Sequence, residues 1–268
     1  MKVQNKVIVV TGGGSGMGRE MVINLLSKKA KVIAVDINEP ALQETLVLAG
    51  NNSDVLSTFV LDITNKAAVE KMVENVLIRY GHVDGIINNA GIIQHFVKVN
   101  DLSFGIIDRV ININLYGTLY MIKAFLPHLL TRPEAHIVNI SSMGGFLPVP
   151  GQTIYCASKA AVKLLTEGLS SELADTSVRV SVVFPGAVNT NITKNSGLNQ
   201  SVPSTDENNT KALSSMKAAQ KIIDGMEKNR YRILVGKDAK IMDFFYRLNP
   251  KSAARLIARQ MKGLLAAS

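Results

Sequence analysis

The chain has 268 residues, of which 47% are hydrophobic and 19% are charged, a balance typical of a compact soluble protein with a large core. Its formal net charge is +9, and residues 237–262 alone hold seven basic and two acidic side chains. The excess positive charge is therefore concentrated in the C-terminal tail, and we expect no nucleic-acid partner. The single cysteine, Cys156, excludes an intrachain disulfide. The sequence shows neither a signal peptide nor an apolar run long enough to span a membrane, so we expect a cytoplasmic protein.

Short apolar runs alternate with amphipathic segments of helix length along most of the chain. The pattern predicts strands at residues 6–10, 31–35, 57–61, 85–88, 136–140, 179–184 and 232–235. It predicts helices at residues 19–28, 40–49, 66–79, 104–130, 157–174 and 214–228. Because several strands are apolar on both faces, we expect an α/β fold, a doubly wound seven-stranded parallel sheet with helices on both faces. No repeat or linker divides residues 1–236, so we predict one domain there and a C-terminal extension over residues 237–268.

A glycine-rich turn follows the first predicted strand and precedes the first predicted helix. Residues 11–18 have the spacing T-G-x-x-x-G-x-G, and the common G-x-G-x-x-G pattern fits no register. A strand, a glycine turn and a helix that opens with free backbone N–H groups form a phosphate site, because a Cβ would block close approach of the backbone. The turn therefore favours a dinucleotide pyrophosphate, and a purely structural turn is the alternative.

Polar residues follow the next three predicted strands. Asp36 lies 18 residues after Gly18, near the spacing at which an acid binds the adenosine ribose hydroxyls. Its carboxylate would repel a 2′-phosphate, and no Lys or Arg lies among residues 13–15 or directly after it, so we expect NAD rather than NADP. Asp62 either contacts the cofactor or caps the next helix. Residues 88–91, Asn-Asn-Ala-Gly, suit a tight turn, but their place at the end of a strand favours a cofactor contact.

Candidate catalytic residues lie further along the chain. Tyr155 and Lys159 are four residues apart and share a helix face, so the ammonium should lower the tyrosine pKa and make the phenol usable near neutral pH. Ser142 ends a predicted strand and could bind a reacting carbonyl oxygen. Asn114 lies inside a long predicted helix, where Asn is disfavoured unless it makes a specific bond. Four scattered histidines show no metal-ligand spacing, so we expect no metal, and Cys156 is expected to pack rather than react.

Taken in order, these residues resemble the classical short-chain dehydrogenase/reductase family over residues 5–235, a family with a Rossmann-type fold. The resemblance implies an NAD(H)-dependent oxidoreductase that moves a hydride between the nicotinamide and a secondary alcohol or ketone. It implies that Tyr155 is the general acid/base and that Lys159 lowers its pKa and binds the nicotinamide ribose. Ser142, 13 residues before the tyrosine, would position the substrate oxygen, and Asn114 would hold a water of a proton relay. The cofactor contacts implied are Gly12, Ser15, Gly16, Met17, Gly18, Asp36, Asp62, Ile63, Asn89, Ala90, Gly91, Tyr155, Lys159, Pro185, Gly186, Val188 and Thr190.

The substrate pocket should be built from residues 92–97, residues 143–151 and a lid over residues 190–211. That last segment is rich in Asn, Ser and Thr and has no clear period, which is typical of a functional lid or of disorder. Residues 146–150 make one wall apolar, and we expect polar contacts from Gln94, His95 and Gln152. Sterols, acyl chains, small diols and cyclic alcohols fit this mixture equally, so the sequence does not identify the substrate.

The family resemblance also implies a homodimer or homotetramer, paired through residues 112–130 and 157–174; alternatively, their apolar residues face only the chain's own sheet.

In the tail, Pro250 begins a helix with basic and apolar residues on opposite faces. The basic face holds Lys251, Arg255, Arg259 and Lys262, and the apolar face holds Ala254, Ile257, Met261 and Leu264. We favour packing of this helix on the protein over docking on an anionic membrane. The rival functions are a catalytically silent dinucleotide-binding sensor and a peripheral membrane protein.

Overall fold

The computed structural model describes residues 1–198 and 212–261. A parallel sheet with strand order β3-β2-β1-β4-β5-β6-β9 forms its centre. The strands are β1 Val7–Thr11, β2 Lys31–Asp36, β3 Leu56–Val60, β4 Gly85–Asn88, β5 Ala135–Ile140, β6 Val178–Pro185 and β9 Arg232–Val235. Two short strands, β7 Val188–Asn189 and β8 Leu213–Ser214, form a separate parallel pair. The predicted doubly wound seven-stranded sheet is confirmed, and its order reverses between β1 and β4, where ligands bind in such sheets.

Helices cover both faces of the sheet. They are α1 Gly16–Ser27, α2 Glu39–Ala49, α3 Lys66–Tyr80, α4 Phe104–Ile111, α5 Thr118–Leu129, α6 Thr153–Glu172, α7 Ile192–Asn195, α8 Ser215–Glu227, α9 Lys237–Leu248 and α10 Pro250–Gln260. Short 3₁₀ turns lie at Gly50–Val55, Val99–Asp101 and Met143–Gly145. Within the described residues no helix combines the length and apolarity that crossing a membrane requires.

The central strand β1 shows why the core has two layers. All five of its residues are buried, and alternate side chains point to opposite faces of the sheet. Ile8 and Val10 pack into the layer of α1, α2 and α8, whereas Val7 and Val9 pack into the layer of α3, α5 and α6. Two apolar layers of this size hold the sheet rigid and fix the positions of the loops at its carboxyl edge.

Several predicted helix boundaries are wrong. The helix predicted at 19–28 begins at Gly16, and the helix predicted at 157–174 begins at Thr153. The single helix predicted at 104–130 is divided between α4 and α5 by a π-helical turn at Asn112–Gly117. Such turns insert one extra residue and occur frequently at functional sites. Asn114 lies within this turn.

The C-terminal helices pack on the body of the protein. Ala253 and Ile257 of α10 are buried against Leu147, and Phe245 and Tyr246 of α9 pack around them. Ala253, rather than the predicted Ala254, occupies the inner face of α10. The basic side chains of the described part of α10 are exposed, as the amphipathic pattern predicts, and they are Lys251, Arg255 and Arg259. The predicted positions of Lys262 and Leu264 and residues 199–211 of the predicted lid lie outside the described residues.

Candidate active site

The glycine turn after β1 meets the amino end of α1. Gly12 and Gly16 have φ angles of +68° and +52°, which side chains with a Cβ rarely adopt. A Cβ on Gly18 would collide with the carbonyl of Gly12, so α1 packs directly on the turn. No acidic side chain lies in the first turn of α1, and its first backbone N–H groups have no partner within the helix. This arrangement is suited to an anionic group such as a pyrophosphate.

A groove of about 490 Å³ runs along the carboxyl edge of the sheet at this turn. Eleven of the predicted cofactor contacts line it, namely Gly12, Ser15, Gly16, Met17, Asp36, Asp62, Ile63, Asn89, Ala90, Gly91 and Thr190. Six predicted contacts do not line it, namely Gly18, Tyr155, Lys159, Pro185, Gly186 and Val188. Asn38, Arg109 and Asn195 also line the groove. They were not predicted from the sequence, because they belong to no motif with a characteristic spacing. Glycines at one end and carboxylates along the wall fit an elongated dinucleotide.

Asp36 lies on the wall of the groove and is held by backbone groups. Its Oδ2 accepts a hydrogen bond from the Gly14 N–H at 2.9 Å, and its Oδ1 accepts one from the Asn38 N–H at 3.0 Å. Asn38, not Asp36, caps α2, by accepting a hydrogen bond from the Ala41 N–H. Asp36 therefore makes a turn contact rather than a helix cap, and its carboxylate lines the groove.

Arg19 is a cation in this region that sequence reasoning overlooked. Its guanidinium donates to the carbonyl of Gly14 at 2.9 Å and to that of Ala41 at 3.2 Å, and it forms an ion pair with Glu44 at 2.6 Å. These bonds satisfy the guanidinium and tie the glycine turn to α2. Arg19 is thus a structural cation rather than a partner for a ligand phosphate.

Asp62 and Thr11 fix the two turns beside the groove. The Oδ1 of Asp62 accepts from the backbone N–H of Thr64 at 2.8 Å, while Asn65 caps α3, so the capping alternative for Asp62 is wrong. The hydroxyl of Thr11 accepts from the backbone N–H groups of Asn89 and Ala90, at 2.9 and 3.0 Å. The last residue of β1 therefore holds the turn after β4, which explains why the motif begins with a hydroxyl.

The four predicted catalytic residues lie in two neighbouring pairs at the end of the groove. A Cβ on Gly91 would lie 3.0 Å from Asn114 Oδ1 and 3.1 Å from Lys159 Nζ. The hydroxyl of Ser142 accepts from the Gly144 N–H at 3.0 Å, and a Cβ on Gly144 would lie 3.5 Å from both Ser142 Oγ and Tyr155 Cε1. The loops after β4 and β5 and the helix α6 thus bring a hydroxyl, a phenol and an ammonium to one place.

Asn114 makes the specific bonds that its position in a helix requires. Its side chain accepts from the Ile92 N–H at 2.9 Å and donates to the Ile92 carbonyl at 3.0 Å. It also donates to the Ser158 hydroxyl at 2.9 Å. Both amide hydrogens are therefore used within the protein, and the residue links the turn after β4 to α6.

Burial changes the pKa values of the two titratable residues. It raises the pKa of the Tyr155 phenol to about 12, against the opposing effect of the Ser142 hydrogen bond. It lowers the pKa of the Lys159 ammonium to about 8. The lowering of the Tyr155 pKa predicted from the spacing is therefore wrong for the protein alone, because desolvation dominates and Lys159 donates to the Ile140 carbonyl at 3.0 Å. At neutral pH Tyr155 carries its proton.

Gln94 and Gln152, which we predict to contact the substrate, both have side chains that are buried within the protein. Gln94 Oε1 accepts from the backbone N–H of Tyr155 at 3.0 Å, and its Nε2 donates to the Gly151 carbonyl at 3.1 Å. Gln152 Nε2 donates to the Gln94 carbonyl at 2.7 Å. Gln94 thus satisfies a free N–H group in the first turn of α6 and anchors the turn that carries Tyr155. His95 is exposed.

Metal chemistry has no evident site in the part of the chain that is described. No group of three or more His, Cys, Asp or Glu side chains there could hold a metal ion. Burial raises the pKa of the Cys156 thiol, which makes it less reactive than an ordinary cysteine.

Comparisons with known proteins agree with this geometry. The family model described as short chain dehydrogenase matches residues 6–201. SadH of Mycobacterium tuberculosis, which is named as an oxidoreductase, is 36% identical over 262 residues, 95% of each protein. An uncharacterised oxidoreductase of Staphylococcus saprophyticus is 37% identical over 192 residues, which cover 71% of this chain and 81% of that protein.

Solved structures share the fold. A short-chain dehydrogenase/reductase from Burkholderia phymatum, in complex with NAD, superposes with a TM-score of 0.83 at 26% identity, covering 92% of this chain and 96% of that one. A short-chain dehydrogenase from Burkholderia cenocepacia, in complex with NADP, superposes with a TM-score of 0.80 at 24% identity, covering 96% and 99%.

Proposed function

Because the chain belongs to the short-chain dehydrogenase family, we propose that it is an NAD(H)-dependent oxidoreductase acting on a secondary alcohol or ketone. The observation that carries this proposal is the approach of Asn114 and Lys159 to Gly91, where the groove ends, with Ser142 and Tyr155 grouped beside them around Gly144. The names of the relatives support an oxidoreductase, and the NAD bound to the Burkholderia phymatum protein supports the cofactor.

In this proposal the groove residues, together with predicted contacts outside the groove, bind different parts of the cofactor. The glycine turn and the amino end of α1 hold the pyrophosphate, Asp36 binds the ribose hydroxyls, and Asp62 and Ile63 flank the adenine. Lys159 binds the nicotinamide ribose, while the segment Pro185, Gly186, Val188 and Thr190 covers the nicotinamide. The dinucleotide, when bound, supplies or accepts the hydride. NADP is less well supported because a carboxylate lies where its 2′-phosphate would bind.

The protein's own residues move the proton. During reduction of a ketone, Tyr155 donates its proton to the carbonyl oxygen as the carbonyl carbon gains the hydride, and the product is an alcohol. Ser142 holds that oxygen through its hydroxyl. The phenolate left on Tyr155 is stabilised by the ammonium of Lys159 and takes a proton back from solvent. Alcohol oxidation is the same sequence in reverse. The raised pKa of Tyr155 keeps the phenol protonated at neutral pH, which is the form that ketone reduction requires.

The proposal is tested by a panel of secondary alcohols and ketones assayed with NAD and NADH through the absorbance of NADH. Turnover of any member supports the oxidoreductase. Saturable NADH binding with no turnover across sterols, acyl ketones, small diols and cyclic alcohols would instead favour a silent dinucleotide-binding sensor.

Gln94 is expected to position Tyr155 for this reaction. Replacing Gln94 by alanine removes the acceptor of the Tyr155 N–H and leaves a buried donor without a partner, which costs about 1–3 kcal/mol. A small displacement of a reacting group lowers rates by up to about a hundredfold, so we expect kcat to fall by at least roughly tenfold. The KM for NADH should change little, because Gln94 does not line the groove. Gln43→Ala, at an exposed glutamine of α2, is the control, and an unchanged kcat in Gln94→Ala would contradict the role.

The assembly is expected to be a dimer or tetramer formed through residues 112–130 and 157–174. Large side chains of both segments are exposed, with Tyr116 at 43% and Leu164 at 68%. Leu164→Glu should therefore reduce the mass measured by light scattering, because two copies would bring the carboxylates into an apolar contact. Ile78→Glu, at an exposed position of α3, should leave the mass unchanged. A monomeric mass for the unmodified chain at micromolar concentration would refute the assembly.

A further inference from the structure

The outer face of α9 carries an apolar stripe that no part of the described chain covers. Ile241, Phe244 and Leu248 are 65%, 67% and 69% exposed and recur at helical spacing, so they lie on one side of the helix. The opposite side is already occupied, because Met242, Phe245 and Tyr246 pack against the cluster around Leu147. A second apolar face on a helix that is already packed indicates a further contact.

The charges around this stripe are all positive. Lys240 and Arg247 are exposed and flank the stripe on α9, and Lys251, Arg255 and Arg259 are exposed on the helix that follows. The two acids of α9 contribute little exposed negative charge. Asp238 accepts from the Ala187 N–H at 2.7 Å. Asp243 is buried and pairs with Arg232 at 2.7 Å and, at the longer distance of 3.8 Å, with Arg247, whose side chain stays exposed. The outer surface of α9 therefore presents apolar groups and cations together.

We propose that the outer face of α9, defined by Lys240, Ile241, Phe244, Arg247 and Leu248, docks on an anionic lipid membrane. An interfacial helix of this kind places its apolar side chains at the boundary of the acyl chains while its cations attract acidic headgroups. A second copy of this chain fits less well. A two-fold contact through the same face would bring Lys240 and Arg247 against their equivalents, and like charges at an interface oppose association.

The docked face lies close to the candidate active site. The inner side of α9 packs against Met143, Phe146 and Val149, which belong to the segment that directly follows Ser142. Membrane binding would therefore bring the substrate side of the protein to the lipid surface. This placement is independent of the reaction proposed above, because the docking rests only on the outer residues of α9.

Co-sedimentation of the full chain with lipid vesicles tests the proposal. We expect binding to vesicles of phosphatidylcholine with phosphatidylserine, weaker binding as salt is raised, and little binding to phosphatidylcholine alone. Phe244→Ser combined with Leu248→Ser should weaken binding by at least about tenfold, because the apolar insertion is lost. Val47→Ser combined with Ile78→Ser, at exposed positions of α2 and α3, is the matched control and should bind as the unmodified chain does.

A second pair of variants separates charge from apolar contact. Lys240→Gln combined with Arg247→Gln should weaken binding to the acidic vesicles, whereas Lys66→Gln combined with Lys71→Gln on α3 should not. Thermal unfolding of each variant shows that the fold is retained. Absence of binding to the acidic vesicles, or equal loss in the α9 variants and their controls, would overturn the proposal. A fall in oligomer mass in Phe244→Ser/Leu248→Ser without vesicle binding would assign the face to a second copy instead.

Discussion

Replacing Tyr155 by phenylalanine is expected to lower kcat by at least about a hundredfold, the usual scale for loss of a general acid. The phenol carries its proton at neutral pH, since burial raises its pKa to about 12, and Ser142 lies beside it at Gly144. Phenylalanine keeps the ring and removes the proton that the carbonyl oxygen must receive. Steady-state assays of ketone reduction with NADH measure the effect.

The affinity for NADH separates loss of chemistry from loss of the site. Tyr155 does not line the groove, so the dissociation constant from fluorescence titration should be nearly unchanged in the variant. Tyr231→Phe removes the hydroxyl of a partly exposed tyrosine at the start of β9 and should retain full activity. Turnover by Tyr155→Phe at the rate of the unmodified chain would remove Tyr155 from the reaction.

The sheet and the glycine turn are predictable from sequence because their signals are local. Each central strand is a short apolar run, as in Val7–Thr11, and the run is apolar on both faces because helices cover both sides. The turn at Gly12 and Gly16 is recognisable in the sequence because its positive φ angles and the close packing of α1 exclude most residues other than glycine. The groove residues follow, since the ends of parallel strands lie at one edge of the sheet.

The remaining features depend on contacts between distant parts of the chain. Gln94 and the Tyr155 N–H are 61 residues apart, so no local pattern shows that this glutamine caps α6. The pKa of Tyr155 follows from desolvation, whereas the four-residue spacing to Lys159 suggested only the opposing effect of a charge. The division of α4 from α5 at Asn112–Gly117 depends on the bonds of Asn114 with Ile92 and Ser158, which the helical pattern does not reveal.

Asp36 offers the sharpest test of cofactor choice, provided that its structural bond is preserved. Its Oδ2 accepts from the Gly14 N–H, so alanine would disturb the glycine turn as well as remove the charge. Asparagine keeps an oxygen acceptor at that position and removes only the negative charge. Ile37 lines the groove beside it and is 67% exposed, so an arginine can replace it without disturbing the core.

Asp36→Asn is therefore expected to narrow the preference for NADH over NADPH by at least about tenfold, and Asp36→Asn combined with Ile37→Arg is expected to reverse it. Two unit charges about 4 Å apart near a protein surface interact by about 4 kcal/mol, and about 1.4 kcal/mol corresponds to tenfold, so removing one repulsion suffices for the first step. The arginine then supplies an attraction for the 2′-phosphate. The ratio of kcat/KM for NADH and NADPH measures both effects, and Ile78→Asn, at an exposed residue of α3 that does not line the groove, controls for a polar change elsewhere on the surface. If the unmodified chain uses NADPH better than NADH at equal concentration, Asp36 does not select the cofactor, and the carboxylate serves the glycine turn alone.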